Sequence, residues 1–239
     1  MRRAGKRYGN LDRIYQLAPV ICLALMSQQA FAAPLPSSAS KAPLPSSASK
    51  APKTIVAFGD SLMAGYQLRP GEGFAPQLEA ALKARGRTVK VVPAGVSGDT
   101  TAQGKARINW VLAGMKAKPD LVILELGAND MLRGQSPATA RANLDAMITA
   151  FKGKGARVLL AGMYAQPNNG PAYRKQFNAI YPGLAKTQGV GLYPFFMDGV
   201  AAVPGMQLAD GLHPTPKGVK IIVTRILPFV ERELDALGK

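Results

Sequence analysis

The chain is poor in the residue types that most often announce a chemistry. It holds one cysteine, one histidine and one tryptophan in 239 residues. The cysteine, Cys22, lies in the N-terminal apolar stretch "LAPVICLALM", so the remainder has neither disulfides nor a thiol nucleophile. A lone histidine, His213, leaves no partner for a zinc site built from histidines and cysteines, and neither a metal nor an organic cofactor is expected. Acidic residues are scarce, 14 against 30 lysines and arginines, for a formal charge of +16. Only Arg2, Arg3, Lys6, Arg7, Arg13 and Asp12 of these fall in residues 1–32, so the positive excess belongs to the rest of the chain. Such an excess reads first as an ordinary solvated basic surface, and second as attraction to anionic envelope surfaces or acidic substrates. No basic run is interleaved with aromatics and no nucleic-acid motif occurs, so nucleic acid is not an expected partner. The N-terminal apolar stretch is also shorter than the roughly 20 residues of a membrane-spanning helix.

What the N-terminus does have is the order of a secretory signal. A basic leader, "MRRAGKRYGNLDR", precedes the apolar stretch, and "AFA" at 30–32 follows it. This predicts a signal peptide over residues 1–32, cleaved near Ala32/Ala33, and an exported protein, periplasmic or secreted. An uncleaved membrane anchor is the alternative. Next, "APLPSSASK" at 33–41 is repeated letter for letter at 42–50. Proline, serine and alanine without large apolar side chains cannot bury enough surface to order the backbone, so 33–53 is expected to be a disordered linker. Residues 54–239 remain as one domain.

Within that domain five short apolar runs recur: "TIVAF" (54–58), "VKVV" (89–92), "LVILEL" (121–126), "VLLAG" (158–162) and "VGLYPF" (190–195). Several are continuous rather than alternating, as strands covered on both faces are. Helical patterns lie between them. In "SPATARANLDAMITAF", Ser136 reads as N-cap and Pro137 as the first helical residue, with Ala140, Leu144, Met147, Ile148 and Phe151 on one face. Thr215 and Pro216 repeat the start signal before a stripe of Val219, Ile222, Val223, Ile226 and Val230, and Pro228 is expected to kink or end that helix. The alternation predicts an α/β fold, a three-layer αβα sandwich around a mostly parallel five-stranded sheet. In such sheets ligands bind beyond the carboxyl ends of the strands.

Four short segments follow strands in this way: "GDSL" with Ser61, "AGVSGDTT" with Gly98, "GAND" with Asn129, and late in the chain "ADGLHP" with Asp210 and His213. Asp210 stands three residues before His213 in a turn-forming sequence, where its carboxylate can hold one ring nitrogen and leave the other to take a proton from a serine. Asp198, also before a glycine, is the rival acid. From Thr54 onward the serines are Ser61, Ser97 and Ser136. Ser136 is accounted for as a cap, Ser61 follows directly on the first strand, and Ser97 is the fallback. A serine becomes a nucleophile only when a base removes its proton, which makes Ser61, His213 and Asp210 the expected catalytic set. The tetrahedral oxyanion of acyl transfer needs donors; the N–H groups of Ser61 and Gly98 and the side-chain amide of Asn129 would supply three. Taken alone, Gly98 is equally a turn glycine and Asn129 a loop residue.

In that order, "GDSL", "SGDTTAQG", "GAND" and "DGLHP" resemble the SGNH (GDSL) hydrolases, and within them the bacterial branch of exported thioesterases, arylesterases and lysophospholipases. The resemblance spans residues 54–235 and implies a flavodoxin-like fold. It also implies Ser61 as nucleophile, Gly98 and Asn129 completing the oxyanion hole, and Asp210 with His213 completing the triad. Ala128 departs from the glycine this branch often carries. The Gly-x-Ser-x-Gly elbow of the common α/β-hydrolases is absent. The resemblance further implies that loops 66–74 and 131–137 border the acyl groove. Leu68, Phe74, Met131 and Leu132 are the candidates for its lining, with core or loop packing at least as good a reading of each, and Arg69 and Arg133 suit an anionic leaving portion. Glu125 reads as a structural carboxylate of a core strand.

The expected reaction is hydrolysis of small-molecule carboxylic esters through an acyl-enzyme. Aryl esters, short to medium acyl esters and lysophospholipids are in range, as are acyl thioesters. A carbohydrate O-deacetylase on the same machinery and a non-catalytic basic binding protein are the alternatives.

Overall fold

The computed structural model describes residues 51–115 and 117–238. The expected signal peptide, and the linker except for its last three residues, lie outside the described residues. The first strand, β1 (Lys53–Gly59), starts one residue ahead of the expected domain boundary. With β2 (Val89–Gly95), β3 (Leu121–Glu125), β4 (Arg157–Ala161) and β5 (Gly191–Tyr193) it forms one five-stranded sheet in the order β2-β1-β3-β4-β5. Every neighbouring pair is parallel, with Ile55 opposite Val91 and Leu121, and Ile123 opposite Leu159. All five apolar runs are therefore strands, though the last keeps only three residues in the ladder. This strand order is the flavodoxin-like one, whose direction of winding reverses between β1 and β3.

Helices close both faces. On one, α2 (Phe74–Ala84) packs on α8 (Pro216–Asp235). On the other, α5 (Pro137–Gly153) lies between α3 (Thr101–Ala113) and α7 (Ile180–Gln188), with α6 (Pro171–Asn178) beside it. Both α5 and α8 rest on β4, which is why β3 and β4 carry apolar residues on both faces. The start signals work as read: Ser136 Oγ accepts the Thr139 N–H at 3.4 Å and Thr215 Oγ1 accepts the Gly218 N–H at 3.2 Å. The predicted stripes of α5 and α8 are buried throughout. Pro228 does not end its helix: α8 runs on to Asp235. Pro228 and Thr224, whose carbonyl it cannot bond, both face solvent, so the missing hydrogen bond costs little while Ile226, Leu227 and Val230 stay packed.

Candidate active site

Two four- to five-residue helices turn the chain sharply at the winding reversal. The first, α1 (Ser61–Ala64), begins immediately after β1 with Asp60 as its N-cap. Asp60 Oδ1 accepts the Leu62 N–H at 3.0 Å, which places Ser61 at the first helical position above the sheet. The second, α4 (Ala128–Leu132), follows β3 through Gly127 at φ 121° and carries Asn129 in its first turn. A side chain at Gly127 would collide with the Tyr181 hydroxyl, which donates to the Leu126 carbonyl at 2.9 Å. Beyond β2, Gly98 adopts φ 86°, and its carbonyl accepts from Arg133 Nη2 at 2.9 Å.

The decisive contact joins residues 152 positions apart: His213 Nε2 lies 2.8 Å from Ser61 Oγ. Its Nδ1 lies 2.7 Å from Asp210 Oδ2, and Asp210 Oδ1 accepts the N–H groups of Leu212 and His213 at 2.9 and 3.0 Å. Slight desolvation pushes the Asp210 carboxyl up, but the backbone N–H groups of His213 and Leu212 and the imidazole outweigh it and bring it down to about 2. The carboxylate is thus ionised wherever the histidine can act as a base. The rivals are elsewhere engaged. Asp198 pairs with Arg225 at 2.6 Å, and His213 hydrogen-bonds to Ser61, leaving Ser97 without that base.

A second carboxylate, overlooked in the sequence, lies beneath the serine. Asp60 is buried; its Oδ2 accepts from Asn129 Nδ2 at 3.2 Å and its N–H donates to Glu125 Oε2 at 3.4 Å. Asn129 Nδ2 also donates to the Asp99 carbonyl at 3.1 Å, and Asp99 is itself held by Arg107 at 2.6 Å. Burial pushes Asp60 up to about 6, against the lowering pull of the Leu62 N–H, His213 and Asn129. Burial, and after it the neighbouring Asp60 charge, pushes Glu125 well above the ordinary carboxylate value, which favours its protonated form. The sequence signal was present: an aspartate directly before a helix start is a cap, and a glutamate inside an apolar strand needs a buried partner.

Ser61, Gly98, Asn129 and His213 all line a single cleft of about 910 Å³. Its walls are largely apolar, with Met131 and Leu132 on one side and Met163, Tyr164, Phe195 and Met197 further along. Two of the expected lining residues are not there. Phe74 opens α2 facing inward and packs edge-on against Phe196 at 5.2 Å in the core, and Leu68 packs against the same core. In the loop between them Arg69 is exposed, while Glu72 bends back to accept the Arg69 N–H at 2.9 Å. Tyr66 takes the position instead: its ring lies 4.4 Å from the imidazole of His213 at 35°.

Residues 57–221 match the profile of the GDSL-like lipase/acylhydrolase family. The chain belongs to that family. It is 42% identical over 219 residues to the esterase TesA of Pseudomonas aeruginosa, across 92% of this chain and 98% of that one. It is 41% identical over 180 residues to an arylesterase of Vibrio mimicus, across 75% and 87% of the two chains. Among solved structures, the SGNH-hydrolase family esterase AlinE4 superposes with a TM-score of 0.66 at 44% identity, covering 77% of this chain and 98% of that one. As a GDSL hydrolase the chain has the fold that its strand order displays, and the family profile takes in Ser61, Gly98, Asn129, Asp210 and His213.

Proposed function

We infer that this GDSL hydrolase cleaves carboxylic esters of small molecules through a covalent acyl-enzyme, with Ser61 as nucleophile, His213 as general base and acid, and Asp210 as the group that orients it. The observation carrying this reading is the unbroken hydrogen-bond chain Ser61–His213–Asp210, 2.8 and 2.7 Å long, at the edge of an apolar cleft. His213 Nε2 takes the serine proton as Oγ attacks the acyl carbon, and the ionised Asp210 stabilises the imidazolium. The oxyanion is received by the N–H groups of Ser61 and Gly98 and by Asn129 Nδ2. In the resting site that amide leans on two acceptors at 3.1–3.2 Å, long contacts that a developing negative charge can outcompete. The imidazolium then protonates the departing oxygen or sulfur, so thioesters follow the same route. Water activated by His213 finally releases the acid and regenerates Ser61.

The methionines and aromatics along the cleft favour an acyl chain of short to medium length over a polar acid. Methionine adapts its shape to different chains. A second reading, removal of acetyl groups from carbohydrates, draws support from Tyr164, which stacks on Phe195 at 4.9 Å with its ring partly exposed in the cleft. The order of the N-terminal leader supports export to the periplasm or medium. Hydrolysis of p-nitrophenyl esters from acetate to palmitate, with an acyl-CoA and an acetylated xylan in parallel, tests these readings. The wild type is expected to turn over the esters with an optimum at medium chain length. Ser61→Ala is expected to lose several orders of magnitude in kcat. Full activity in Ser61→Ala overturns the nucleophile, and turnover of the acetylated sugar alone moves the second reading ahead.

A further inference from the structure

The large apolar side chains that stand exposed among the described residues are not scattered. Tyr66, Leu132, Tyr164 and Leu212 line the cleft, and Val96 and Val203 adjoin the lining residues Ser97 and Ala202. Only Trp110, on α3, stands apart from them. Single exposed apolar residues need no explanation, but four that line one cleft, with two more next to lining residues along the chain, mark a contact surface. The rim interrupts loops that also carry cations. Arg69 is exposed in the loop after Tyr66, and Arg133 is exposed next to Leu132. The acids of this edge are turned to other work: Asp210 to His213, Asp198 to Arg225, Asp99 to Arg107, and Glu72 to the Arg69 N–H at 2.9 Å.

We propose that the rim of the cleft is a docking surface for anionic lipid assemblies, so that the cleft opens directly onto the lipid from which acyl substrates are drawn. The occupant follows from charge complementarity. The apolar rim is flanked by Arg69 and by Arg133, whose guanidinium also donates to the Gly98 carbonyl. On a chain that keeps 25 basic against 13 acidic residues beyond residue 32, a net +12, it matches a negatively charged, partly apolar interface better than it matches a second, equally basic copy of itself. No described helix is long and apolar enough to cross a membrane, and the contact proposed for this rim is a peripheral one. The cost of placing six partly exposed apolar side chains against water is recovered only when they meet such a surface. This surface is independent of the triad; only its use in catalysis rests on the ester-hydrolase reading.

The test is flotation of the full chain with vesicles of phosphatidylglycerol and phosphatidylcholine in equal parts, beside phosphatidylcholine alone. The variants are Val96→Asp with Val203→Asp, and separately Arg69→Glu. None of these residues belongs to the triad, the oxyanion donors or the cleft wall, and hydrolysis of p-nitrophenyl acetate without lipid reports on folding. Wild type is expected to float with the anionic vesicles only. The double aspartate variant is expected to lose at least about tenfold in bound fraction while keeping soluble activity within about twofold, and Arg69→Glu is expected to lose about fivefold or more in bound fraction. If the aspartates disturb folding, Val96→Ser with Val203→Ser gives the same comparison. Binding that is unchanged in all variants overturns the proposal in favour of diffuse charge or the basic N-terminal leader. A dimer that disappears in the double variant overturns it in favour of a second copy. Wild type that binds lipid but cleaves no ester leaves this surface standing and removes the hydrolase reading.

Discussion

Replacing Asp60 by asparagine separates what burial of a carboxylate costs from what it contributes. Asp60 is lifted from an ordinary value of 3.8 to about 6, chiefly by burial. A carboxyl whose folded value is raised binds its proton more tightly when folded. Its stabilising contribution is therefore complete below about pH 4 and is lost as pH rises through about 6. Two units at about 1.4 kcal/mol each set the scale at about 3 kcal/mol between pH 4 and 7. In Asp60→Asn the part of the slope that comes from Asp60 disappears, while buried Glu125, also raised, keeps its own part of the same sign. The amide oxygen still accepts the Leu62 N–H, but the NH2 group faces the NH2 of Asn129, and a buried donor without an acceptor costs about 1–3 kcal/mol. Absolute stability at neutral pH thus changes little, and the slope is the informative quantity. Asp210, held down to about 2, contributes with the opposite sign: its part is present above about pH 4 and is lost below it, equally in both proteins. Urea unfolding followed by circular dichroism from pH 4 to 7 reads the difference directly. Parallel wild-type and variant curves would refute the burial argument. The same variant is expected to lose about 10- to 100-fold in kcat with KM nearly unchanged, since Asn129 loses the acceptor that holds its amide.

Three further outcomes follow from the geometry. Asn129→Ala is expected to lower kcat by about 10²–10³ with folding intact, the usual effect of one oxyanion donor; a loss confined to KM would remove Asn129 from that role. Tyr66→Leu removes the ring 4.4 Å from the imidazole and with it about 1 kcal/mol of attraction for the imidazolium. A fall of about fivefold in kcat is expected, restored in Tyr66→Phe; equal losses in both variants would assign the effect to the hydroxyl. Gly95→Ala places a methyl group against the backbone of Asp60, Met63 and Ala64. Thermal unfolding is expected at lower temperature, with a larger relative loss of activity than of stability, and wild-type rates would show that α1 moves freely.

The sheet was legible because its five strands are continuous apolar runs and each chemical motif follows one of them. The hydrogen-bonded set Ser61, His213 and Asp210 was legible for a different reason: with one histidine and few serines, the chain offers almost no competing assignment. Local signals failed where tertiary packing decides. Pro228 reads as a breaker, yet the buried stripe on either side carries the helix through it. Phe74 and Leu68 read as groove residues from their loop, but a large apolar side chain at a helix start turns inward when a core partner such as Phe196 is within reach. The far wall of the cleft, Met163 to Pro167 and Phe195 to Ala202, carries no motif at all. Its residues meet the serine only because β4, and β5 beyond it, run parallel to β1 and β3 and end on the same side of the sheet.

The close approach at Gly95 has a consequence for how such an enzyme diverges. Helix α1 is wedged against β2 by backbone atoms on both sides, so the attacking group tolerates almost no displacement. The opposite wall is built from loops late in the chain, whose side chains do not support the serine. Reactivity and selectivity are thus written in different stretches of the gene. On the ester-hydrolase reading proposed above, variation, natural or directed, can retune which acyl group fits by changing cleft-lining residues such as Met163, Tyr164, Phe195 and Met197, without disturbing residues 59–64.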